Sequence, residues 1–165
     1  MKIQKSILNY LEKENYKYEI IEHKTTYTAW DTAQTKKVKP QEVAKTLVLK
    51  LDKALIAVVL PANRNIDKKK LLAIYNTWAK KNELKSAKKL EFAKEAWMKK
   101  NVPGKLGAVP PFRGVLKVEI FMDKLLAKNK RIFVGSGIYE ASFRVNVKEY
   151  IKKEQPILAS FSVKK

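Results

Sequence analysis

The sequence contains no cysteine and a single histidine, His23. The first absence removes disulfides, thiol nucleophiles and thiolate metal sites together. The second rules out a zinc site built on paired histidines and leaves a Ser-His-Asp device only one imidazole to use. No serine sits in a G-x-S-x-G elbow. Neither a P-loop nor a dinucleotide fingerprint is present, because Gly104 to Gly107 has the wrong spacing and no Lys-Ser/Thr after it. Acidic residues are scarce as well, 16 against 36 basic ones, so salt bridges account for most candidate carboxylates. No apolar run approaches membrane-spanning length, and Lys2 to Lys5 leads into an amphipathic segment and not a signal core. A cytoplasmic protein is expected, with no membrane association, no metal and no organic cofactor.

What remains is 165 residues, 45% apolar and 32% charged, with a formal charge of +20. That suits one domain over residues 1–165, long enough to bury a core. A field of this sign attracts polyanions, and RNA, DNA and anionic lipid all fit; a lysine-rich solvated surface is the plainer account. Two stretches stand out. Gly104-Lys-Leu-Gly-Ala-Val-Pro-Pro-Phe-Arg-Gly114 holds three of the five glycines and two of the six prolines. Neither a helix nor a strand interior tolerates that mix, so a fixed loop is expected there. It is either a structural turn or a rigid bend that presents main-chain N–H groups to a ligand. The second stretch is Val43-Ala-Lys-Thr-Leu-Val-Leu49, where Lys45 interrupts an apolar run as a helix gives way to a core strand. An ammonium there meets an anion or a pocket mouth, or else snorkels from the strand end.

The periodicity predicts a helix over residues 3–14 (Ile3, Ile7, Leu8, Leu11), a strand from Tyr16 to Glu22 and a capped start at Thr28–Asp31. It predicts a short helix over Pro40–Ala44, then a buried hairpin of Thr46–Leu51 and Ala54–Leu60. Asp67 is read as the cap of a helix through Lys80. Ser86 is read as the start of another, with Leu90, Ala93 and Trp97 on one side. Leu116 to Met122 reads as an alternating strand, Asp123 as a cap, and Arg131–Val134 and Ser142–Val145 as strands joined through Gly135-Ser-Gly137. Asn146 opens a helix to Lys153, and Pro156–Val163 is a last strand or a docked tail. The fold class is α+β: a mixed, largely antiparallel sheet with helices packed around it.

Val43–Leu49 and Gly107-Ala-Val-Pro-Pro-Phe112 together resemble the YbaK-like family, free-standing aminoacyl-tRNA deacylases related to the editing insertion of bacterial prolyl-tRNA synthetase. Ile21-Glu-His23, Tyr27-Thr-Ala29, Val58–Ala62, Ile66-Asp67 and the turn near Gly137 extend the resemblance over Tyr16 to Tyr150. The resemblance implies hydrolysis of the ester joining a mischarged amino acid to the 3′ adenosine of tRNA. It implies that Lys45, Gly107 and Pro111 are catalytic, with Lys45 holding the terminal nucleotide and the Gly107–Pro111 loop orienting the ester carbonyl. By the same resemblance Tyr27, Thr28, His23, Ala108 and Gly137 are substrate-binding, tRNA is the partner through its aminoacyl 3′ end, and an aminoacyl-tRNA synthetase is a further partner. His23 is read as a pocket wall or strand-end residue. Arg113, where many relatives have glycine, either shifts the loop or adds a cation toward tRNA phosphate. The alternatives are a non-catalytic tRNA- or RNA-binding or regulatory module of the same fold, and an unspecific nucleic-acid or membrane binder.

Overall fold

The computed structural model describes residues 2–36 and 38–165. Its centre is a five-stranded mixed sheet built on the expected hairpin, β2 (Ala44–Leu51) and β3 (Ala54–Pro61). Asp52 makes the turn at φ 55°, a left-handed conformation that a short polar side chain tolerates better than most, and its carboxylate accepts the Lys88 and Lys89 amides. In this sheet β5 (Leu90–Phe92), β2, β3, β6 (Glu119–Asp123) and β9 (Ile157–Ala159) lie side by side in that order. β5 and β3 run antiparallel to β2, whereas β6 runs parallel to both β3 and β9. β1 (Tyr18–Glu22), β8 (Ala141–Asn146) and β7 (Arg131–Gly135) form a separate antiparallel sheet. β4 (Arg64–Ile66) pairs with β10 (Ser162–Lys164).

Both faces of the central sheet are covered, which is why β3 reads as an unbroken apolar run. On one face Leu49, Leu51, Ile56, Val58 and Phe121 meet α3 (Lys68–Lys81) through Leu71 and Tyr75. On the other, Ala44, Val48, Ala57, Val59, Ile120 and Met122 meet α1 (Lys5–Lys13) and the three-stranded sheet, with Ile7, Leu11, Phe143 and Val145 between them. Fully burying a side chain such as Leu71 contributes about 2–3 kcal/mol. The expected caps form: Thr28 Oγ1 accepts the Asp31 amide ahead of α2 (Ala29–Lys36), Asp67 the Lys70 amide, Asp123 the Leu125 amide and Asn146 the Glu149 amide. The last two open α6 (Lys124–Ala127) and α7 (Val147–Glu154).

Three expectations are corrected. Residues from Ser86 do not form one helix: Leu90–Phe92 is a strand, and α4 spans Glu95–Asn101. The spacing of Leu90, Ala93 and Trp97 imitates a helical face, but the main chain of 90–92 extends the edge of β2 instead. The strand expected from Leu116 begins only at Glu119, since Arg113–Leu116 is a helical turn, α5, that Lys117 ends in the left-handed region at φ 58°. Pro40–Glu42 is a single 3₁₀ turn, and Ala44 already belongs to β2.

Candidate active site

β2 carries Lys45 on the α3-facing side, two residues before Leu47 and four before Leu49. There the sheet's apolar cover thins, and Lys45 is half-buried. Its Nζ donates to the Arg64 carbonyl at 2.5 Å, across the start of β4. Burial, reinforced by the nearby Lys165 charge, lowers its pKa from the usual lysine value to about 8.

The outer edge of β2 is incompletely covered. β5 pairs with it only at Leu49–Leu51, and the Ala93 amide donates to the Val48 carbonyl. At the other end β7 joins through a bridge between Val43 and Phe133. Main-chain groups two residues apart point the same way along a strand. The N–H and C=O of Thr46 therefore face the gap between these neighbours. A cavity of about 290 Å³ occupies this gap, bordered by Thr28, Lys45, Thr46, Glu95, Leu106 and Gly107 among others. A smaller one, about 30 Å³, lies alongside and shares Ala29, Thr46, Gly107 and Val109 with it. Ala108 and Ser142 also line the smaller cavity.

Residues 104–112 of the glycine-proline stretch form a loop, as expected, and the last two belong to α5. Gly107 sits at φ +84°, and a Cβ there would lie 2.0 Å from the Tyr27 carbonyl oxygen, so no other residue fits without moving the chain. Gly137 fixes the bend from below: its amide donates to the Ala108 carbonyl at 2.7 Å and its carbonyl accepts the Lys105 amide at 2.8 Å. The Ala108 amide is committed to the Lys105 carbonyl at 3.1 Å. The Gly107 amide has no such acceptor among the described residues, and Gly107 is one of the residues bordering the cavity.

The structure therefore brings Lys45, Thr28 and Gly107 to one cavity, and Gly107 and Ala108 to its small neighbour. Tyr27 lines neither; it stands at the rim, exposed, with its ring 4.8 Å from that of Tyr139. Pro111 and Gly137 are buried behind the bend, and the Pro111 carbonyl accepts the Tyr150 hydroxyl at 2.6 Å. His23 lies one layer further out. Its Nδ1 faces the Lys24 carbonyl at 2.7 Å, which requires a proton on that nitrogen, and its Nε2 is 3.0 Å from Ser142 Oγ. His23 thus reaches the smaller cavity only through Ser142. Arg113 adds no cation to the cavity: its guanidinium bonds the Glu154 and Gln155 carbonyls and pairs with Glu119.

Sequence reasoning missed the Thr46 main chain, Glu95 and Phe92 as cavity residues. Only the short length of β5 opens that edge, and no residue type announces it. Among the described residues no helix is long and apolar enough to cross a membrane.

Comparison with known proteins gives a consistent picture. No curated protein matches the chain. Among solved structures, the hypothetical protein APE2540 superposes with a TM-score of 0.78 at 17% identity, covering 96% of this chain and 100% of its own. A protein described as a "putative trans-editing enzyme for prolyl tRNA synthetase" superposes with a TM-score of 0.78 at 18% identity, covering 98% and 99%. At such identities the likeness establishes the fold. A family model, that of the aminoacyl-tRNA editing domain, matches residues 23–153, which contain both cavities and every site residue named above. The chain belongs to the aminoacyl-tRNA editing domain family.

Proposed function

We propose that the chain, acting as one domain, is a trans-editing deacylase that hydrolyses the ester of mischarged aminoacyl-tRNA. The observation that carries this reading is the meeting of Lys45 and the Gly107 bend on one cavity. The Lys45 ammonium holds the terminal nucleotide through phosphate or ribose oxygen, and the Gly107 N–H donates to the ester carbonyl oxygen as negative charge grows there. Water, deprotonated through the free hydroxyl of the terminal ribose, adds to the carbonyl carbon. The ester C–O bond then breaks, and the proton returns to the departing ribose oxygen. The Thr46 carbonyl and the Glu95 carboxylate accept hydrogen bonds from the substrate's α-ammonium group. The smaller cavity takes the amino-acid side chain. At about 30 Å³ it exceeds the ~10–15 Å³ that one water needs by little, so a methyl or hydroxymethyl group suits it and a proline ring does not.

The test is single-turnover hydrolysis of a panel of mischarged tRNAs by the wild type and by Lys45→Ala. Alanyl and seryl esters are expected to be cleaved, and the variant is expected to lose about 100-fold or more in rate. Equal rates for the two proteins would overturn the role given to Lys45.

A further inference from the structure

The described surface exposes eight large hydrophobic side chains, of which three are aromatic: Tyr27 (61%), Trp30 (41%) and Phe92 (49%). Phe92 lines the cavity, and the other two are chain neighbours of its lining residues Thr28 and Ala29. The Tyr27 carbonyl abuts Gly107, Trp30 follows the cavity residue Ala29 on α2, and Phe92 is itself a lining residue. Aliphatic exposure, by contrast, is scattered over β1, the segment after α3, α6, β9 and β10 (Ile20, Leu84, Leu125, Leu158, Val163). The Tyr27 ring is already engaged with Tyr139. The other two rings each carry a cation instead. Lys165 Nζ lies 4.9 Å from the Trp30 centroid, and Lys68 Nζ lies 5.2 Å from that of Phe92. Lys165 is also a charge that acts on Lys45.

Phe92 borders a second hollow as well, of about 250 Å³, lined by Lys50, Lys53, Lys94 and Trp97. Glu91, which also lines it, is paired with Lys89. A flat ring between two hollows, with lysines on one side and an ester-sized cavity on the other, is suited to a chain of planar groups joined by phosphates. A duplex hides its base faces, whereas an unpaired strand offers them. Exposed aromatics interleaved with cations are how single strands are held without sequence readout.

We propose that Trp30 and Phe92 are stacking platforms for two unpaired nucleobases of the acceptor end, with Lys165 and Lys68 on the adjoining phosphates. The proposal rests on the deacylase reading for the identity of the strand. It is tested by fluorescence anisotropy of labelled single-stranded RNA of sequence ACCA, of the same strand with abasic riboses, and of a duplex of equal length, all over the same salt series. Trp30→Ala and Phe92→Ala are each expected to weaken ACCA by about 10-fold, in line with ~1–3 kcal/mol per stacked base. Trp30→Phe and Phe92→Tyr should restore it, and affinities for the abasic strand and the duplex should not change. Lys68→Gln should instead lower the salt slope by about 0.7. ACCA affinity unchanged in both alanine variants would overturn the proposal. So would an equal loss on the abasic strand, or a loss confined to phosphatidylserine vesicles. Hydrolysis of mischarged tRNA is measured in parallel. Stacking losses in the alanine variants, beside a wild type that leaves the ester intact, would sink the deacylase reading and uphold the platforms, while hydrolysis with no stacking loss would do the reverse.

Discussion

The Lys45 ammonium lies where two demands oppose each other. Its burial and the Lys165 charge both disfavour the protonated form and hold its pKa at about 8, yet the proposed contact with the tRNA end needs that form. Activity should therefore fall above pH 8. Lys165→Gln should move that alkaline limb upward, because it removes the second of the two causes; a pH profile of kcat/KM for both proteins checks this. Linkage fixes the sign of the stability effect. Between pH 8 and the ordinary lysine pKa the unfolded chain binds the proton more readily than the folded one, so stability rises with pH across that window. The cost of the buried charge is fully present below pH 8. Lys45→Met should accordingly melt higher than wild type at pH 7 and about the same near pH 11, while losing hydrolysis at every pH. Calorimetry at the two pH values reads the difference. Gly107 is constrained from a different side. Gly107→Ala adds a methyl group 2.0 Å from the Tyr27 oxygen at φ +84°, so the bend or the Thr28 segment must shift. A loss of about 100-fold in kcat follows if the Gly107 N–H serves the oxyanion, accompanied by ~1–3 kcal/mol of stability for the strain. Gly107→Ala with wild-type kcat would remove that amide from the chemistry.

At the scale of elements, the bend depends on α7, which the sequence gives no reason to associate with it. Glu154, the last residue of α7 and only 1% exposed, receives the Tyr10 and Tyr16 hydroxyls and the Arg113 amide. Burial first and then this carboxylate push both phenols above the usual tyrosine range. Arg113 returns the connection through the Glu154 carbonyl, at 2.9 Å. In the sequence, Arg113 in place of the family's glycine suggests either a shifted loop or an added cation for tRNA; its partners are Glu119 and, about forty residues away at the end of α7, the Glu154 and Gln155 carbonyls, of which local pattern carries no trace. The same limit explains Leu90–Phe92. A three-residue strand becomes one only because β2 offers an edge, and its local spacing fits a helix equally well. What could be read is what local chemistry decides: the β2–β3 hairpin from its apolar runs, four N-caps from Thr28, Asp67, Asp123 and Asn146, and a bend where glycine and proline exclude both regular structures. Glu154→Leu should destabilise the protein by about 3 kcal/mol, since it strands the buried Tyr16 hydroxyl together with the partly buried Tyr10 hydroxyl and Arg113 amide. It should also lower activity by loosening the bend. Denaturant unfolding beside a kcat measurement reads both effects, and a wild-type unfolding midpoint would show that the network does not hold the loop.

Over the whole molecule the charge of +20 is largely uncompensated. Among the described residues the ion pairs engage five basic side chains, Lys89, Arg113, Arg131, Arg144 and Lys153, out of 36 in the sequence. Four of these pairs, on Arg113, Arg131, Arg144 and Lys153, tie separate elements or successive turns together, and with so few cations paired most lysines are available to a polyanion. Composition alone permitted this reading but could not say where the polyanion's end would go. That required folding to bring Lys45 and Gly107, far apart in sequence, to one cavity. The two functions then separate physically. On the proposed function, affinity for tRNA is assigned to many lysines that release counterions, and hydrolysis to a few groups at the cavity. About six phosphate contacts imply a loss of roughly 1000-fold in affinity between 50 and 200 mM salt. Lys45→Ala should reproduce that dependence, with a slope changed by no more than ~1, while kcat at saturating tRNA falls and stays nearly independent of salt in the wild type. Filter binding over a salt series, alongside single-turnover rates at saturation, measures both. An affinity indifferent to salt would mean that the surface charge plays no part in capture. A Lys45→Ala variant that binds far more weakly at every salt concentration, with an unchanged rate once bound, would make Lys45 one more surface cation rather than the group that positions the ester.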